Sequence, residues 1–323
     1  MQAGRKKHGL SMIDIGAWLR EFRYRFLLFV SLPVLLGAAI AYMYYPASFS
    51  LGYFLLSIIA MLLLHSGTII INDYFDFRSG TDILNQARAP YSGGSGLLPE
   101  KALKPWHVLI VGTGCFALCI IIGLLIVLAR GPAILLIGFA GVCLGVAYTA
   151  PPFKLCYRGL GEIARLAATP LIVLGAFFVQ VPVTSIPELI SIYPALVICV
   201  VASLPVAFFN MAAMYIFEFP DYEADRQVGK KNLVVRLGTK NASYLYLIMQ
   251  AAAYGSLIFA MLAGIIPWLA AIILLLLPAS AYAATGLLRY NAEAKKLLPY
   301  LRATSNVYIL ASIILVLAYI IRF

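Results

Sequence analysis

The chain has 323 residues, 63% of them hydrophobic and 11% charged, with a mean hydropathy of +0.94. A soluble domain carries about a quarter of its residues as charges, so a water-facing globule is excluded and the chain reads as an integral membrane protein. The formal charge of +11 then reports membrane orientation and not nucleic-acid binding, and the five cysteines, without CxxC or Cys/His grouping, are small packing residues.

In chain order, segment 1–25 is basic (Arg5, Lys6, Lys7, Arg20, Arg23, Arg25). The apolar run after Tyr24 is too long for a signal-peptide core, so the segment is expected to be retained. Nine apolar spans follow, at about 26–45, 51–71, 106–129, 131–149, 160–181, 189–216, 242–263, 266–288 and 303–322. Each approaches the ~20 residues that cross a hydrocarbon core. They are continuously apolar and not alternating, which predicts an all-α bundle of nine transmembrane helices in one domain over 1–323.

Lys and Arg sort by face. With nine spans, 22 of the 24 fall on the side of the N-terminus, leaving Arg130 and Arg322 on the other. The positive-inside rule makes the N-terminal side cytoplasmic, in a cell membrane.

Two connections on that side are long and charged, 72–105 and 217–240, and each follows the second span of a group of four. This placement predicts two four-helix repeats plus one helix. Eight of the 13 acidic residues lie in these connections. If the second span stays helical, Asn72 and Asp76 share a face at i,i+4, and Asp221 and Asp225 repeat that relation. Like carboxylates one turn apart need a cation, and oxygen donors of this kind suit Mg²⁺, which bridges carboxylates to substrate phosphates. Two motifs predict two ions. Nearby Arg78, Lys154, Arg165, Lys230 and Lys231 suit a polyanionic substrate such as a diphosphate. The glycine-rich stretch Ser92–Gly96 lacks the end of a P-loop and reads as a hinge, and His65 and His107 read as packing residues.

NDYFDFRSGTD (Asn72–Asp82) and DYEADRQVGKKNLVVRLG (Asp221–Gly238) resemble the paired Asp motifs of the UbiA superfamily of intramembrane aromatic prenyltransferases. The SGGSG loop, the stretch Tyr148–Glu162 and the GKKNLVVRLG tail are most similar to the menaquinone branch, which prenylates 1,4-dihydroxy-2-naphthoate. The resemblance implies Mg²⁺ at Asn72, Asp76, Asp221 and Asp225, support from Asp73 and Asp82 as catalytic residues, and diphosphate contacts from Arg78, Tyr148 and Lys154. It implies an isoprenyl diphosphate donor, an aromatic acceptor and loss of CO₂. Phe217 and Glu218 stand where many relatives carry Asn, and Thr169 where Gly is common. Other acceptors, such as 4-hydroxybenzoate, homogentisate or a glycerol-phosphate lipid, stay open. So does an ion-coupled secondary transporter, in which intramembrane carboxylates serve ion coupling.

Overall fold

The structure, a computed structural model, describes residues 15–84 and 93–321. Arg5, Lys6, Lys7, Ser92 and Arg322, which entered the sequence reading, lie outside the described residues.

The described residues form helices and no strands. The helices are α1 (Ile15–Glu21), α2 (Leu27–Tyr44), α3 (Leu51–Ser79), α4 (Thr81–Leu84), α5 (Pro105–Arg130), α6 (Ala133–Thr149), α7 (Gly161–Gln180), α8 (Ile186–Ser191), α9 (Tyr193–Ile216), α10 (Tyr222–Gln227), α11 (Leu233–Leu262), α12 (Leu277–Tyr290) and α13 (Leu298–Ile321). A 3₁₀ stretch, Trp268–Leu276, runs directly into α12.

Among the described residues, eight of these segments are apolar and at least 18 residues long. The ninth expected span, α6, is apolar but has 17 residues. The outward faces are greasy: on α5, Leu125 and Leu128 are 59% and 85% exposed. Such a surface belongs in lipid, and the chain is a multi-pass membrane protein.

Short breaks with defined chemistry separate the helices. Gly80, at φ +90°, ends α3, Pro105 opens α5 at a position where its missing N–H costs nothing, and Gly131 turns the chain after α5. Ser185 and Glu188 form a reciprocal capping box on α8.

Close helix contact rests on small residues, as expected where lipid supplies no hydrophobic drive. A Cβ on Gly37 of α2 would lie 2.2 Å from the Val173 carbonyl oxygen of α7. One on Gly112 of α5 would lie 2.7 Å from Ile71 Cγ1 of α3. The main core joins α2, α7, α9, α11 and α13, while Ala17 and Trp18 of α1, and Phe22 just after it, pack against the α3 and α5 side in a second cluster with Leu97, Leu98 and Leu103.

At the end of α5 away from the acidic motifs, the Arg130 guanidinium donates to the carbonyls of Ser48, Val179 and Gln180 at 3.1, 2.7 and 2.6 Å. It also lies 4.8 Å from the centre of the Tyr53 ring.

Candidate functional site

The helix α3 does continue through the first motif, as the i,i+4 reading requires, and Asn72 Nδ2 donates to Asp76 Oδ2 at 2.9 Å. Asp73 and Asp76 are 1% and 5% exposed. After Gly80 the chain turns into α4, which carries Asp82 back inward to 3% exposure.

The second motif is built differently. The helix α9 stops at Ile216, and the chain makes a turn through 217–221 before α10, so Asp221 sits at the start of a separate six-residue helix and not on a prolonged span. Asp221 and Asp225 still stand one turn apart, with Asp225 N–H donating to the Asp221 carbonyl at 2.9 Å. Asn232 caps α11 by accepting from Val235 N–H at 2.9 Å, and its Nδ2 donates to Asp225 Oδ2 at 2.8 Å. One residue thus starts a helix and orients a motif carboxylate.

The two motifs meet. Lys230 Nζ lies 3.4 Å from Asp76 Oδ2 and 3.5 Å from Asp225 Oδ1. The glycine-rich loop joins them again: Gly93 N–H donates to Asp221 Oδ2 at 3.0 Å and Ser95 N–H to Asp73 Oδ2 at 2.9 Å. Gly94, at φ +71°, comes so close to Asp82 that a Cβ would lie 2.7 Å from Oδ2, so a larger residue there would have to displace the buried Asp82 carboxylate. Arg23, at the turn between α1 and α2, forms an ion pair with Asp73. Tyr157, from the α6–α7 link, donates to Asp76 Oδ1 at 2.5 Å and contacts Ser79 Oγ at 3.0 Å.

Burial and charge set the protonation. Burial first, then the carboxylates of Asp73 and Asp76, push Asp82 up to about 9. Burial raises Asp225 to about 7 against the opposing pull of Lys230. Lys230 is held well above the usual lysine value by Asp225 and Asp76, which outweigh its own desolvation. Glu218 is raised well above the carboxylate range by burial and then by Glu162.

These groups stand at one end of a cavity of about 700 Å³. Asn72, Asp76, Asp221, Asp225 and Tyr148 line it; Asp73 and Asp82 lie behind its wall. Arg78 is outside and exposed, bonded to the Tyr74 hydroxyl at 3.3 Å, and Lys154 rests 5.2 Å from the centre of the Tyr157 ring. The wall's cations are Arg23, Arg165 and Lys230. Along α3 the lining runs from Asp76 to Ser57, about 28 Å at the helical rise. Below the polar end it is apolar, and it opens sideways where Ile120 and Leu124 of α5 and Leu135 and Phe139 of α6 line it while remaining 43%, 48%, 49% and 69% exposed.

Sequence reasoning missed the roles of Arg23, Tyr157 and Asn232, and of the N–H groups of Gly93 and Ser95. Their contacts span between 7 and 128 residues of sequence, and no spacing rule reaches the longest. Lys230 was already among the basic residues singled out, and the Lys-Lys-Asn run after Gly229 was the available clue for Asn232. As to metal, Asn72, Asp76, Asp221 and Asp225 offer side-chain oxygens to the cavity, and Asp225 Oδ1 is buried with no hydrogen bond and only the Lys230 ammonium 3.5 Å away, which fits a hard divalent ion. Among the described residues no three His, Cys, Asp or Glu side chains stand at ligand spacing; Lys230 pairs with both Asp76 and Asp225.

A helical membrane bundle that sets buried acids and cations at the head of a long apolar cavity suits a substrate with a polyanionic head and a greasy tail. The chain belongs to the UbiA prenyltransferase family, whose model matches residues 30–320, and it is accordingly a prenyltransferase. It is similar to 1,4-dihydroxy-2-naphthoate octaprenyltransferase of Bacillus subtilis (strain 168), at 26% identity over 73% of this chain and 71% of the relative. Among solved structures it resembles digeranylgeranylglyceryl phosphate synthase, with TM-score 0.60, 19% identity and coverage of 96% and 99%. It also resembles a UbiA homologue from Archaeoglobus fulgidus bound to DMAPP and Mg²⁺, with TM-score 0.57, 17% identity and coverage of 95% and 100%. At these identities the two structures establish the fold.

Proposed function

We propose that the protein transfers a polyprenyl group from an isoprenyl diphosphate to 1,4-dihydroxy-2-naphthoate with loss of CO₂, as in menaquinone biosynthesis, at the cytoplasmic face of a cell membrane. The observation that carries this is the meeting of Asp76 and Asp225 on the single ammonium of Lys230 at the mouth of the apolar cavity. The acceptor is supported by the similarity to the Bacillus subtilis enzyme.

Asn72, Asp76, Asp221 and Asp225 would hold Mg²⁺, two ions in all, with Lys230 swinging from between the motifs onto the diphosphate. The Archaeoglobus fulgidus neighbour bound to DMAPP and Mg²⁺ supports a metal of this kind. Bound there, Mg²⁺ would neutralise charge on the departing diphosphate. The chain's own part is electrostatic. Lys230 and Arg23 supply positive charge, with Tyr148 and Lys154 at the margin and Arg78 on the approach. Tyr157 holds Asp76 in place, and Asp73 and Asp82 anchor Arg23 and the glycine loop from behind the wall. The apolar cavity takes the prenyl chain and excludes water from the allylic cation, which the electron-rich ring then captures.

The test is an acceptor panel with labelled geranylgeranyl diphosphate and purified protein, read by product mass with and without EDTA. Coupling to 1,4-dihydroxy-2-naphthoate with a mass deficit of one CO₂, abolished by EDTA, is expected. Transfer to a glycerol-phosphate lipid alone, or solute uptake without product, would overturn the assignment.

A further inference from the structure

We infer that Arg165, held by Glu218 and Tyr148, is the receptor for a carboxylate on the aromatic acceptor, and that Thr169 and Asn210 continue that acceptor site along the cavity wall. This rests on the prenyltransferase reading above and specifies what the acceptor must carry.

Of the three Lys and Arg side chains on the cavity wall among the described residues, Arg23 is committed to Asp73, and Lys230 to Asp76 and Asp225. Arg165 is tied to a residue outside both proposed metal sets. Its Nη1 donates to Glu218 Oε1 at 3.0 Å, its Nη2 donates to the Tyr148 hydroxyl, and its guanidinium lies 5.1 Å from the centre of the Tyr148 ring. A guanidinium has five N–H donors, so two bonds of this kind fix its plane and leave three. The side chain is 22% exposed, and it lines the cavity. A fixed planar fork with spare donors, facing a mostly apolar cavity, matches a carboxylate better than a single hydroxyl.

Position agrees with that role. Asp221 N–H donates to the Glu218 carbonyl at 3.2 Å, so the residue that holds Arg165 adjoins the second motif. An acceptor anchored on Arg165 therefore lies beside the diphosphate end, where the allylic carbon is released. Thr169 follows Arg165 by one turn of α7, and Asn210 Nδ2 of α9 reaches Thr169 Oγ1 at 3.5 Å. Both line the cavity and offer the hydrogen bonds a ring hydroxyl needs.

The test uses the full-length protein in detergent with geranylgeranyl diphosphate and two acceptors, 1,4-dihydroxy-2-naphthoate and its carboxylate-free analogue 1,4-naphthalenediol. Arg165→Gln is expected to raise KM for the carboxylated acceptor about tenfold to a hundredfold, the worth of a charge-assisted pair. It should leave KM for the donor within about twofold and remove the preference for the carboxylated ring; Arg165→Lys should recover part of it. Donor KM, measured on the same preparations, separates lost binding from lost folding. A rise in donor KM would make Arg165 a diphosphate ligand, and an unchanged acceptor preference would remove it from recognition; either overturns the inference. Wild-type failure with both rings would instead overturn the acceptor class itself.

Discussion

Tyr157 donates its hydroxyl to Asp76 Oδ1 at 2.5 Å across 81 residues of sequence, fastening the α6–α7 link to the first acidic motif. That bond orients the carboxylate which also faces Lys230. Tyr157→Phe should therefore weaken catalysis without removing a charge. We expect kcat to fall roughly tenfold, the worth of one hydrogen bond to a charged group, and the Mg²⁺ concentration for half-maximal rate to rise. A Mg²⁺ titration of the variant checks it; wild-type values would show that Tyr157 only packs.

Asp76→Ala and Asp221→Ala should abolish turnover while the bundle stays folded. Each removes a proposed metal ligand, and the loss is expected to exceed about a hundredfold. Prenyl transfer together with size-exclusion elution of the detergent-solubilised variants tests this. Near-normal rates in either would take that residue out of the site.

Stability should depend on pH in an unusual direction when divalent cations are absent. Asp82 is raised from 3.8 to about 9, and Glu21 from 4.5 to about 8, chiefly by burial. The folded protein thus binds more protons than the unfolded chain between those values. Stability is fully present below about pH 4 for these groups and is lost as pH rises through 8 to 9. Thermal midpoints in EDTA should fall across that window. Midpoints that climb with pH would contradict the assignment.

Gly123 and Gly138 line the cavity, and a Cβ at either meets no atom within 4 Å. Filling that space should shorten the donor without disturbing the fold. Gly138→Leu is expected to lower kcat/KM for geranylgeranyl diphosphate about tenfold relative to dimethylallyl diphosphate, the scale of a modest overpacking penalty. Competition between the two donors reads the ratio directly.

Asn232→Ala removes a helix cap and a ligand of Asp225 in one step. The cap alone is worth about 1 kcal/mol, so a modest drop in thermal midpoint should accompany a larger drop in rate. A loss of stability with an unchanged rate would confine Asn232 to the cap.

Much of the architecture was legible because its causes are local. Apolar length marks the helices, and Gly80, Pro105 and Gly131 mark their ends. The i,i+4 relation of Asn72 and Asp76 followed from helix geometry once α3 was carried through the motif. The end of that span at 216 was legible too, with Pro220 in the charged stretch beyond it, but the short separate helix α10 that carries Asp225 was not, since six residues give too little pattern to mark an element of their own. Nor were the partners of the carboxylates. Arg23 reads as a positive-inside anchor and SGGSG as a hinge until the fold brings them onto Asp73 and Asp221. Tyr157 was one aromatic among many, and only the tertiary approach of the α6–α7 link distinguishes it.

Arg130 fastens one end of the bundle. A single guanidinium ties three carbonyls from the α2–α3 and α7–α8 junctions to the end of α5, next to Val127 and Val179 at the foot of the cavity. Tied there, the ends of three helices are held together beneath a cavity whose exposed lining residues lie on α5 and α6, so a greasy chain that enters between those two helices from the lipid would meet a braced floor and not a loose one.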